Sequence, residues 1–168
     1  SIFADKMLKS LPALFWGGER VAAFEIARKL ESKCETNVGQ LLQIANFYLS
    51  VENGSEARRV SELAIKADPA SAAAQMTFGL ANRMDFQLDG SVAAYAKALE
   101  LDPDSLAARR GLAEMKRAVG KPDDAVALYN EILSKEGSNI PARTGLILSL
   151  FDSGKRTEAE AELKRSLE

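Results

Sequence analysis

Residues 93–103 read Ala93-Ala94-Tyr95-Ala96-Lys97-Ala98-Leu99-Glu100-Leu101-Asp102-Pro103. The closing proline stops a helix, because it has no N–H to donate and its ring clashes with the preceding turn. Two residues later stands Ser105, a side chain able to cap the next helix start. The same punctuation recurs 34 residues to either side: Pro69 and Gly137 take the place of Pro103, and Ser71 and Asn139 that of Ser105. The interval also joins Ala23, Ala57, Ser91, Ala125 and Ala159, and links Gly120 to Gly154, with Gly18 three intervals before Gly120. A period of 34 is the length of a helix-turn-helix unit, and five such units account for nearly all of the 168 residues. The reading is an all-α solenoid of antiparallel helix pairs, an architecture that offers an extended surface and not an enclosed pocket.

The repeated columns resemble the tetratricopeptide repeat (TPR) family. Its first helix carries an apolar then a small residue, here Ile44-Ala45, Phe78-Gly79, Leu112-Ala113 and, with the small residue replaced, Leu146-Ile147. The small residue opening its second helix is the five-member column above. Tyr95, Tyr129 and Leu163 supply the aromatic or leucine four residues on, where Ser61 departs from the pattern. Ala64-Ile65, Ala98-Leu99 and, loosely, Ile132-Leu133 give the pair that follows. The resemblance covers about residues 38–168 and implies a right-handed superhelix with units at 38–71, 72–105, 106–139 and 140–168. Residues 1–37 keep the spacing with different residues and read as a divergent capping repeat of the same continuous domain. Pro12 falls where its first helix needs continuity, so a kinked, late-starting or separate helix is expected there. Trp16 is expected as a core or cap residue.

Composition narrows the function. With 46% hydrophobic and 27% charged residues and a mean hydropathy of −0.14, the chain reads as a globular domain without a membrane span. A net charge of −2 argues against nucleic acid, whose binders carry a basic excess. Cys34 is the single cysteine, which rules out an intramolecular disulfide and thiol clusters for metal. That suits a cytoplasmic location. Ser1 in place of an initiator Met leaves open a removed leader and a periplasmic one. With no histidine, the usual general base, the Ser-His and Cys-His pairs and His-ligated zinc are absent. Asp102, Asp104, Asp123, Asp124, Glu158, Glu160 and Glu162 fall in turns, first helical turns or exposed faces and read as solvated. Gly120-Lys121 and Gly154-Lys155 lack the remainder of a phosphate-binding loop. The expectation is a protein that is not an enzyme and holds no cofactor.

In TPR arrays the first helices line a concave groove, and the resemblance implies that positions 2, 5, 9, 12 and 13 of each unit face it. Those positions hold Gly39, Leu42, Asn46, Leu49 and Ser50, then Ala73, Met76, Leu80, Arg83 and Met84, then Ala107, Arg110, Glu114, Arg117 and Ala118, and last Pro141, Thr144, Leu148, Phe151 and Asp152. Asn46, Met76, Leu80, Arg83, Arg110 and Arg117 are the candidate partner-binding residues. Guanidinium forks take carboxylates bidentately, and methionines adapt to varied apolar shapes, so the expected partner is a peptide or helix with an acidic group and an apolar anchor. The alternative is that the arginines are solubilising charge paired with Glu114, Asp85 and other carboxylates. The chaperone-tail clamp known in the family fits poorly. Asn46 matches it, but Leu42, Thr77, Ala107 and Gly111 stand at its other positions.

Gln75, Asn82, Arg109, Lys116 and Arg143 stand where large apolar residues usually pack, which implies looser units or faces otherwise engaged. Leu163 and Leu167 lie on a last helix with no covering unit, so the natural chain continues past Glu168 or this edge self-associates. The reading is a protein-interaction scaffold. Its alternatives are a self-associating module stacking through the C-terminal edge and the regulatory segment of a larger protein. The sequence style resembles bacterial arrays, which serve as assembly factors in envelope, secretion or polysaccharide-export machinery.

Overall fold

The computed structural model describes residues 2–168 and, among them, ten α-helices and no strand. In chain order these are α1 (Ile2–Trp16), α2 (Arg20–Lys33), α3 (Val38–Ser50), α4 (Gly54–Ala67), α5 (Ala72–Met84), α6 (Leu88–Leu101), α7 (Leu106–Ala118), α8 (Pro122–Lys135), α9 (Ile140–Asp152) and α10 (Arg156–Ser166). The chain divides into two compact units, Ser1–Gln87 and Leu88–Glu168. The division falls inside the stretch 72–105.

The 34-residue interval is written into the backbone. Gly18, Glu52, Phe86, Gly120 and Gly154 stand one interval apart, and all have positive φ: 100°, 58°, 58°, 76° and 74°. After each, the next amide donates back to the preceding helix, with Glu19 bonded to Leu14, Asn53 to Tyr48, Gln87 to Asn82, Lys121 to Lys116 and Lys155 to Leu150, at 2.8–2.9 Å. This is the long bond of a Schellman closure, which satisfies carbonyls left over at a helix end. Glu52 and Phe86 take the left-handed conformation with a Cβ present, at a cost of about 1–2 kcal/mol each. At the alternate turns Asn37, Ser71, Ser105 and Asn139 accept the amides of Gln40, Ala74, Ala108 and Ala142 at 2.9–3.1 Å. Each is a side-chain N-cap. Ala23, Ala57, Ser91, Ala125 and Ala159 are all 0% exposed, so the column that revealed the period is buried in the packing between helices.

In the first unit α4 packs along both α3 and α5, while α1 lies beside α3 and α3 beside α5. Its core is aromatic where α1, α2 and α3 meet. The Phe24 ring lies 5.6 Å from that of Phe15, 6.1 Å from that of Phe47, and stacks on Tyr48 at 5.9 Å. Trp16 departs from expectation here, and of the three forms expected for the first helix the late start is excluded. Helix α1 starts at Ile2 and runs through Pro12, which sits exposed in its later half; on that open side the carbonyl left without a helical donor can turn to water. Trp16 is 67% exposed, neither core nor covering cap, because Phe15 takes the inward position and meets the indole only edge-on.

A polar network joins α2 to α4. Arg59 donates to both oxygens of the buried Glu31 at 2.9 and 2.7 Å and to Glu56 at 2.8 Å, and Arg28 reaches Glu56 at 3.1 Å. Hydrogen bonding from Arg59 holds the Glu56 carboxyl below its usual range, and the bonds to Glu31 first and Glu56 second raise the guanidinium's own pKa. Burial pushes the Tyr48 phenol up to about 12, reinforced by the charges of Glu31 and Glu56.

In the second unit α7 packs on α6 and α8, and α9 on α8, α7 and α10. Here buried tyrosines sit on glycines. A Cβ at Gly111 would stand 2.7 Å from the Tyr95 ring, and one at Gly145 only 2.2 Å from that of Tyr129. Tyr95 and Tyr129 are one interval apart, as are Gly111 and Gly145. The second helix of one pair thus presses a ring into a notch on the first helix of the next.

Candidate functional site

The candidate binding residues all lie on first helices. In the first unit Asn46 is on α3, and Met76, Leu80 and Arg83 are on the adjacent α5. Asn46 and Arg83 are exposed, Met76 is half-buried and Leu80 is 41% exposed. Leu42 and Leu49 on α3, and Met84 on α5, are also half-buried. This layer is mainly apolar, with Asn46 and Arg83 at its surface. Asp85, considered a partner for arginine, is engaged by Arg58 of α4 at 3.0 Å.

In the second unit Arg110 and Arg117 share α7, and Leu148, Phe151 and Asp152 lie on α9 beside it. Leu148 and Phe151 are 40% and 41% exposed, too large a fraction for core residues of a well-packed helix. The two arginines differ. Arg117 donates its Nε–H to Asp152, a bond that ties α7 to α9. Arg110 meets Glu114 only at 3.7 Å, beyond hydrogen-bond distance, with 47% of its side chain in solvent. Asp152 is the last residue of α9, the helix end where the macrodipole disfavours a carboxylate, and Arg117 is what compensates it there.

Four of the polar residues at unusual positions have side-chain partners, though Nε and Nη1 of Arg109 are buried without a hydrogen bond. Asn82 is buried and donates to the Phe78 carbonyl at 2.8 Å, and Lys116 pairs with Asp124 at 3.3 Å. Arg109 and Arg143, one interval apart, do the same work twice. Arg109 donates to the Pro103 carbonyl at 2.9 Å and pairs with Glu131 at 2.8 Å; Arg143 donates to the Gly137 carbonyl at 2.8 Å and pairs with Glu162 at 3.2 Å. Each arginine fastens the turn that precedes its helix to a later helix. Glu162 is thereby drawn partly out of solvent, unlike Asp102, Asp104, Asp123, Asp124, Glu158 and Glu160, which are exposed.

Elsewhere, Cys34 follows α2 as its C-cap, is buried, and has a thiol whose pKa is raised chiefly by burial, the reverse of an activated thiolate. Leu163 and Leu167 are 43% and 81% exposed. No helix among the described residues is long and apolar enough to cross a membrane. Sequence reasoning missed the Arg28–Glu56–Arg59–Glu31 network, whose two cross-helix pairs each span 28 residues with no motif to flag them, and the clasp between Arg117 and Asp152.

The architecture can be set beside known structures. A crystal structure of MamA superposes with a TM-score of 0.83 at 22% identity, over 98% of this chain and 90% of that one. Residues 41 to the end of MamA from Desulfovibrio magneticus RS-1 give 0.67 at 23%, over 82% and 77%. A tetratricopeptide repeat protein from Parabacteroides merdae gives 0.77 at 18%, over 98% and 64%. No protein-family model and no curated protein matches the sequence. The fold is therefore the all-α helical-repeat solenoid of the TPR proteins, as the 34-residue period indicates.

Proposed function

We propose that this chain is a non-enzymatic protein-interaction scaffold of the bacterial type, receiving a partner peptide or helix on the first-helix layer of its units. One observation carries the reading: Leu80, Leu148 and Phe151 present 40–41% of their surface, Leu80 on the helix that holds Arg83 and the other two on α9 beside α7, which holds Arg110 and Arg117. Large apolar side chains half out of water beside charged rims are the composition of a docking face. Asn46, Met76, Leu80, Arg83 and Arg110 are its proposed contacts, and Arg117 lies in the same layer bonded to Asp152. A cytoplasmic location is the companion reading, supported by a single thiol in place of disulfides.

The test is affinity capture from native extract with the parent chain and an Arg83, Arg110, Arg117→Glu triple variant, with folding of both verified by circular dichroism. A partner retained by the parent and lost by the folded variant supports the reading. Equal capture by both contradicts it.

The exposure of Leu163 and Leu167 favours a second reading, self-association through α10. It predicts a mass that rises with concentration and returns to monomer when both leucines become Ser. A mass independent of concentration rejects it. The third alternative, a regulatory segment of a larger protein, shares the docking face and differs only in what lies outside these residues.

A further inference from the structure

Resting on the docking reading above, the geometry points to a division of labour in the second unit. We infer that Arg110 receives a carboxylate from the partner, that Leu148 and Phe151 take its apolar side chain, and that Arg117 is withheld from the partner by Asp152.

The two guanidiniums lie on one helix, but only one has a firm partner. Arg117 is bound through Nε to Asp152 of α9, while Arg110 approaches Glu114 no closer than 3.7 Å. The N–H donors of Arg110 therefore make no hydrogen bond to a described side chain and are left to water. A guanidinium is a rigid fork that matches a carboxylate at two points, and such a bond is about twice as strong as one between neutral groups. The apolar half of the site lies on the adjacent helix, where Leu148 and Phe151 are 40% and 41% exposed. A segment with a carboxylate and an apolar residue matches both halves. A segment of basic residues would meet Arg110 with like charge.

Asp152 has a defined effect here. It stands at the helix end that disfavours a carboxylate, so its removal costs the fold little beyond the clasp. An exposed ion pair of this kind contributes little to stability. Asp152→Asn frees the Arg117 fork and gives the site a second carboxylate receptor.

The test uses the full chain and fluorescein-labelled helical 15-residue peptides. Each carries two leucines one turn apart and one Glu, which is walked through the remaining positions across the panel. A matched panel has Gln for Glu. Fluorescence anisotropy is measured for the parent and for Arg110→Gln, Arg117→Gln, Asp152→Asn and Leu148→Ser with Phe151→Ser, all verified as folded by circular dichroism. The parent is expected to prefer its best Glu peptide over the Gln match by about five-fold or more. Arg110→Gln should abolish that preference, Arg117→Gln should leave it within two-fold, and Asp152→Asn should widen it several-fold. Loss of the preference in Arg117→Gln with retention in Arg110→Gln overturns the inference and leaves docking intact, as does Asp152→Asn binding no tighter than the parent. Absence of binding across the panel, or binding unaffected by the Leu148 and Phe151 substitutions, overturns the docking reading for this unit as well.

Discussion

The two units solve one packing problem with opposite residues. In the second, Tyr95 and Tyr129 each press a ring onto a glycine, Gly111 and Gly145. One interval earlier than Tyr95 and Gly111, the first unit has Ser61 and Thr77. Ser61 is fully buried and turns its hydroxyl back to the Ala57 carbonyl at 2.7 Å, and Thr77 does likewise to Ala73 at 3.1 Å. The first unit finds its bulk elsewhere, in the Phe15, Phe24, Phe47 and Tyr48 rings, and binds α2 to α4 with a charge network in place of a ring. A period can thus be conserved in the backbone while the residues that fill the space between helices trade places.

The strongest break of this comparison is Gly145→Ala. Its Cβ would stand 2.2 Å from Tyr129, whose ring is itself buried, so something must shift. We expect a loss of about 3 kcal/mol in urea denaturation, at the upper end of overpacking costs, and a smaller loss for Gly111→Ala. Thr77 shows that the corresponding first-unit position already tolerates a side chain.

Next is Arg59→Ala, which leaves Glu31 buried without its bidentate partner. Breaking a buried pair costs about 3–5 kcal/mol. With 36% of Arg59 in solvent, about 2 kcal/mol is expected here. A thermal midpoint unchanged from the parent would show that α2 does not depend on the network.

Alkaline pH should also act on the first unit. Tyr48 holds its proton up to about 12 when folded, while an unfolded tyrosine releases it near 10. Above about pH 10 the unfolded chain binds fewer protons than the folded one, so stability falls by up to about 1.4 kcal/mol per pH unit until pH 12. Stability measured at pH 9 and pH 11 should show this drop in the parent and a smaller one in Tyr48→Phe. Equal drops would contradict it.

The smallest effect is a gain. Phe86→Gly places at φ 58° the residue that tolerates it, and should raise stability by about 0.5–1 kcal/mol, whereas Gly120→Ala should lower it by a similar amount. Destabilisation by Phe86→Gly would mean that the exposed ring makes contacts that outweigh its backbone strain.

What the sequence disclosed follows from what repeats. Residues whose type is forced by backbone geometry or close approach, such as Gly154, Asn139 and Ala57, were legible because few side chains can serve there. Glu52 and Phe86 occupy the same turn unannounced, since surrounding structure can hold a Cβ in a conformation that propensity alone disfavours. Trp16 faces out because Phe15 takes the inward position on α1, and sequence does not say which of the two neighbours will. On the candidate faces, the exposure of Leu80 and Leu148 follows from position in the unit. The pairing of Arg117 with Asp152, 35 residues away, needed the approach of α7 to α9.

The central claim is that partners dock on the first-helix layers. Hydroxyl-radical footprinting of the chain, free and bound to its captured partner, tests it directly, because methionine and phenylalanine are oxidised readily where water reaches them. The account predicts protection confined to first-helix residues such as Met76 and Leu80 in the first unit and Leu148 and Phe151 in the second, with Trp16 and Leu167 unchanged. Protection of Trp16 or Leu167 with the first-helix residues still reactive would contradict it.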